Sequence, residues 1–125
     1  MLVNFSNHIS SKWSVKQIGM AELLYGAVID LQFPSVDPSG DCQYICELAD
    51  CYIEKIKQLG SPADVTVHIM GELNLSFDIV FKLQKFGYKC VASTTERVVS
   101  EIGPDKKEVL FNFVQFREYK IQELL

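Results

Sequence analysis

Nowhere does this chain hold an apolar run near the ~20 residues that span a bilayer, so no membrane partner is expected. Its first residues lack a basic stretch ahead of an apolar one, so no signal peptide is read and a cytoplasmic location is expected. Basic residues are not in excess: Lys and Arg total 12 against 16 Asp and Glu, for a net charge of −4. Phosphate neutralisation dominates the affinity of duplex binders, which argues against duplex nucleic acid as a partner. A small anion needs only a few local donors and is not excluded. No CxxC pair and no His-x-x-x-His occurs, and Cys42, Cys46, Cys51 and Cys90 are spaced too loosely for zinc. They read as reduced thiols, and neither metal nor cofactor is expected.

The familiar site signatures are missing too. There is no G-x-G-x-x-G, no G-x-x-x-x-G-K-[ST] and no G-x-S-x-G. Dinucleotide oxidoreductases, P-loop NTPases and enzymes built on a serine elbow are therefore poor candidates. No carboxylates pair at glycosidase or metal spacing. Internal sequence repeats, low-complexity stretches and linkers are absent, so residues 1–125 read as a single domain.

What the chain does have is 48% hydrophobic residues against 22% charged, the balance of a soluble globule. Three segments follow one order: helical pattern, glycine, strand. In SVKQIGMAELLYG-AVIDL, Ser14 and Gln17 form a capping box, and Val15, Ile18, Ala21 and Leu24 recur at helical spacing. Gly26 closes that helix. The second helix is expected from near Asp37-Pro38, with Ile45, Leu48, Ala49, Tyr52, Ile53 and Ile56 as its buried stripe. Gly60 and Pro62 end it before the strand DVTVHIM. A third helix, about Leu73 to Phe86, stops at Gly87 ahead of YKCVAS. With MLVNF in front the order is βαβαβαβ. The fold expected is a Rossmann-like three-layer α/β fold with a mainly parallel sheet. ERVVSEI and EVLFNFVQFREY flank the turn-rich GPDKK, which predicts a C-terminal antiparallel β-hairpin over about residues 96–119. The phenylalanine-rich second arm suits a sheet edge or the interface of a homodimer.

Ligands of open α/β sheets bind beyond the carboxyl ends of the strands, where the strand order reverses. For the common 2-1-3-4 order that point lies between the first and third strands. Three polar segments would meet there. SNHISSKW offers Ser6, Asn7, His8, Ser10, Ser11 and Lys12. GELNLSF offers Gly71, Glu72, Asn74 and Ser76 at a helix start, where free amides favour an anion. STTER offers Ser93, Thr94, Thr95 and Arg97. Each has a plain structural alternative. Ser6 and Asn7 form turns readily, His8 suits a solvated loop, and Glu72 complements its own helix dipole. Thr94 and Thr95 suit a strand, and His68 reads as a satisfied core histidine among apolar neighbours.

The opening LVNFSNH resembles that of small stand-alone CRISPR-associated proteins of type III systems. The stretch VTVHIMGELNLS resembles the strand–glycine–helix element of their CARF-like domains. This resemblance implies a homodimer that binds cyclic oligoadenylate, a small anionic nucleotide, across its two-fold axis. Some such proteins, the ring nucleases, cleave it without metal. Carried over, Ser6, Asn7, Gly71, Glu72, Asn74, Ser76, Thr94 and Thr95 would line the ligand pocket. His8 would move the proton, because imidazole titrates near neutrality, while Arg97 and Lys12 would stabilise charge. In-line attack by the ribose 2′-hydroxyl would then give a cyclic 2′,3′-phosphate. Two other readings stay open: a Rossmann-like enzyme acting on a free nucleotide or nucleoside, and a non-catalytic interaction module.

Overall fold

Side chains that alternate along two short strands set the architecture. In β1 (Leu2–Ser6) and β3 (Thr66–Met70), Val3, Phe5, Val67 and Ile69 enter one apolar cluster with residues of α2 (Cys42–Leu59) and α3 (Leu73–Lys85). Leu2 enters a second, smaller cluster with Val91 and with Ala21 of α1 (Val15–Tyr25). Residues 1–120 are described by the structure, a computed structural model. The end of the expected domain, residues 121–125, lies outside them.

The remaining strands are β2 (Val28–Gln32), β4 (Lys89–Gly103) and β5 (Lys106–Glu118). The five strands form one mixed sheet in the order β2-β1-β3-β4-β5. β1 pairs in parallel with β2 and β3, β3 pairs in parallel with β4, and β5 runs antiparallel to β4. The strand order reverses between β1 and β3, as the sequence predicts. No helix among the described residues is long and apolar enough to cross a membrane.

Three local expectations are corrected. The second helix starts at Cys42, not near Asp37-Pro38: Asp37 Oδ1 accepts from Ser39 N at 2.9 Å and makes a turn there. Asp41 then caps the helix by accepting from Tyr44 N at 2.9 Å. In α1 the Ser14 cap forms with Gln17 N, but of Val15, Ile18, Ala21 and Leu24 only Ala21 is buried. The helix meets the sheet through that small residue and leaves Val15, Leu23 and Leu24 exposed.

The third correction concerns the hairpin. YKCVAS and ERVVSEI are not two strands but one, because nothing between Tyr88 and Gly103 breaks the extended chain. β4 pairs with β3 only from Lys89 to Val91, then runs on with β5 as a two-stranded ribbon. A register shift between Thr94 and Thr95 bends it. Val99, Val109 and Phe111 share one face of this ribbon, and all three are exposed.

Candidate functional site

The segment after β1 is folded back on the sheet by two side chains that the sequence hides inside strands. Asn4 donates from Nδ2 to the His8 carbonyl and to Asp30 Oδ1, each at 2.8 Å. Asp30 also accepts from Ser10 N at 2.9 Å and Ser10 Oγ at 2.7 Å. Partial desolvation works against the charge on Asp30, but the hydrogen bonds from Ser10 and Asn4 outweigh it and hold the carboxyl below its usual range. Ser6 Oγ donates to Asn4 Oδ1 at 2.8 Å and accepts from His8 N at 3.2 Å. Ser6 is thus committed to holding the turn.

Beside this turn opens a slot of about 580 Å³ at the carboxyl ends of β1 and β3. Ser6, His8, Lys12, Gln17, Ser93 and Thr95 give it polar lining, and Trp13, Met70, Phe111 and Phe113 give it apolar walls. A smaller hollow of about 300 Å³ on the β2 side shares Ser6, His8 and Lys12 with it and adds Asn7 and Asp30.

His68 stands behind the slot, 2% exposed. Its Nδ1 lies 2.9 Å from Asn4 Oδ1 and its Nε2 3.2 Å from Ser93 Oγ. Trp13 and Phe116 meet its ring edge-on, with centroids 5.2 and 5.7 Å away. Burial, with the charge of nearby His8 in a lesser part, lowers its pKa to about 4. It is the satisfied core histidine the sequence suggests, and it also borders the slot.

The residues expected to converge divide into groups. Ser6, His8, Lys12 and Thr95 line the slot together. Asn7 faces the smaller hollow. Arg97 lies across from Phe111 on the ribbon face that begins at the slot, so it stands at the margin. Thr94 faces away and donates to the Gln115 carbonyl at 3.2 Å.

Gly71, Glu72, Asn74 and Ser76 do not line the slot with His8. Two amides at the start of α3 are not free for an anion, because Glu72 takes them: Asn74 N donates to its Oε1 and Leu75 N to its Oε2, both at 2.9 Å. Any side chain at position 71 would collide with the ring of Phe33, so that glycine permits a close packing. Asn74 borders a hollow between α2 and α3 with Asp41 and Cys46, and Ser76 is buried in α3. Glu72→Ala is therefore expected to destabilise the fold by about 1 kcal/mol in urea denaturation. It should leave ligand affinity at the slot unchanged.

Sequence reasoning missed Asn4, Asp30 and Trp13 as parts of the site, and it read His68 as a core residue without placing it beside the slot. Asn4 and His68 were visible as the central polar residues of LVNFS and TVHIM, and they are direct partners in the β1–β3 register. Among the described residues no three His, Cys, Asp or Glu side chains are grouped to hold a metal ion. Cys42, Cys46 and Cys51 are exposed free thiols and Cys90 a buried one.

A family model described as the uncharacterized protein MJ1673 family matches residues 1–117 of the chain. No curated protein and no solved structure matches it.

Proposed function

We propose that this chain, which belongs to the MJ1673 family, is a nucleotide-binding protein of Rossmann-like three-layer design whose ligand is a cyclic oligoadenylate. The slot carries the reading. It combines aromatic walls at Trp13, Phe111 and Phe113 with His8, Lys12, Gln17 and Thr95 at the β1–β3 switch point. A flat base can stack on the first set while a phosphate meets the donors of the second. A volume of about 580 Å³ suits one nucleotide unit, not a whole ring. A cyclic ligand would therefore engage two copies.

The homodimer would form through the ribbon. A lone two-stranded ribbon is marginally stable in water, and among the described residues Val99, Val109 and Phe111 are apolar and exposed. Their face runs on from the slot, so a second copy docked there brings two slots near one axis. Cleavage would follow the 2′-hydroxyl route: His8 moves the proton and Lys12 faces the developing charge, with Arg97 at the margin.

The test is calorimetric titration of the full chain with cyclic tetra- and hexa-adenylate and with AMP, beside sedimentation to fix the oligomer. Binding of a cyclic ligand by a dimer, abolished by Lys12→Glu, is the expected result. Loss of the cyclic 2′,3′-phosphate product in His8→Ala with binding retained would assign His8 the proton. Binding without product leaves a sequestering protein. Equal affinity for AMP by a monomer favours the free-nucleotide reading, and no binding at all overturns both.

A further inference from the structure

Each of four neighbouring strands contributes one polar residue to a hydrogen-bonded chain across the sheet. Asp30 on β2, Asn4 on β1 and His68 on β3 occupy one register row, and Ser93 on β4 lies two residues beyond the Val91 that faces His68. The proton on the imidazole follows from the amide between them. Asn4 Nδ2 meets two acceptors, the His8 carbonyl and the Asp30 carboxylate. Its Oδ1 must then be the atom that accepts from Ser6 Oγ and from His68 Nδ1–H. That leaves Nε2 with a free lone pair, 3.2 Å from Ser93 Oγ. Met70 Sδ lies 2.9 Å from the same hydroxyl, but a thioether is the weaker acceptor.

Asn4 and His68 are each 2% exposed, whereas Ser93 lines the open slot. A hydroxyl at the accessible end of an oriented imidazole, with the second ring nitrogen fixed by an amide, is the layout of an activated nucleophile. We propose that Ser93 is the nucleophile of an acyl-transfer site acting on small carboxylic esters. His68 is its general base, and Asn4 and Asp30 are positioning residues. Ser93 Oγ forms a bond to the acyl carbon while its proton passes to His68 Nε2. The ester C–O bond then breaks, and the leaving alkoxide takes that proton. Water attacks the acyl-enzyme, gives a proton to Nε2, and releases the acid as Ser93 regains its hydrogen. The apolar walls suit an alkyl or aryl ester group, and Lys12 and Gln17 line the same slot as donors for the oxyanion.

The burial that keeps His68 unprotonated also makes it a weak base, so slow acylation is expected and covalent labelling is a better measure than turnover. The test treats the full chain with an alkyl fluorophosphonate and maps the adduct by peptide mass spectrometry. It needs no nucleotide, so its outcome is separate from the binding reading above. Ser93 should label at least ~100-fold faster than Ser100, an exposed serine on the same strand that lines no part of the slot. Ser93→Ala should remove the adduct, and His68→Gln should slow it by a similar factor. An unlabelled protein, a Ser93 no faster than Ser100, or a rate unchanged in His68→Gln would each overturn the assignment. If His68→Gln does not fold, the comparison of Ser93 with Ser100 in the unaltered chain decides alone.

Discussion

Asn4→Ala is expected to destabilise the fold by about 3 to 4 kcal/mol, read as a lower urea midpoint at unchanged slope. A single amide serves the His8 carbonyl, Asp30, Ser6 and His68. Truncation strips all four at once, and the His68 Nδ1–H is left buried with nothing to donate to. An unmet buried donor costs about 1 to 3 kcal/mol by itself, which already exceeds the net gain from an ordinary hydrogen bond. Asp30→Ala removes acceptors from the same network but should cost only about 1 kcal/mol, because Asp30 is exposed and water can replace it. The contrast between these variants is the measurement. Equal losses, or less than about 1 kcal/mol at Asn4, would mean that water reaches the row and satisfies it.

The sheet order was legible because each helix–glycine–strand unit carries its own stop. Gly26 and Gly87 adopt φ of 85° and 88°, which other residues resist, so the punctuation was local. The α1 face was not legible. Helical spacing at Val15, Ile18 and Leu24 says that a face is apolar, not that the chain has anything to set against it. The merger of YKCVAS with ERVVSEI was hidden for a similar reason: a strand that changes partners midway carries no mark at the change.

The candidate site divides the same way. Loop residues His8 and Lys12 were found because polar clusters after strands stand out, and the topology then brought them together. Asn4 was passed over, and His68 was read only as a core residue, because a polar residue inside an apolar strand reads as an isolated exception. Their meaning lies in register, which pairs Asn4 with both Asp30 and His68 and is set by three separate pieces of chain. Glu72 shows the opposite failure. A helix start looked open to an anion, but the carboxylate one residue before it was already bound to its amides.

Stability should fall by about 2 kcal/mol between neutral pH and pH 5, and by about 3 by pH 4, on account of His68 alone. Burial first, and the charge of His8 second, lower its pKa from an ordinary 6.5 to about 4 in the folded chain. The unfolded chain therefore takes up a proton near 6.5 that the folded chain refuses until about 4. Above 6.5 the contribution is fully present; as pH falls through that window the unfolded state gains, and the fold loses ground. Little discount for solvent applies, since the ring is 2% exposed and enclosed by Trp13 and Phe116. Carboxylates such as Asp30, whose pKa is also lowered by folding, act with the same sign but nearer the acid end. Urea titrations from pH 7 to 5 therefore isolate the imidazole. His68→Gln should start less stable at pH 7 and lose far less across that interval. An NMR titration of the His68 ring in the unaltered protein gives the independent check. A midpoint near 6.5 would mean that the proton finds an acceptor within the row. The pH dependence would then vanish, and His68 would be a stronger base toward Ser93 than its burial implies.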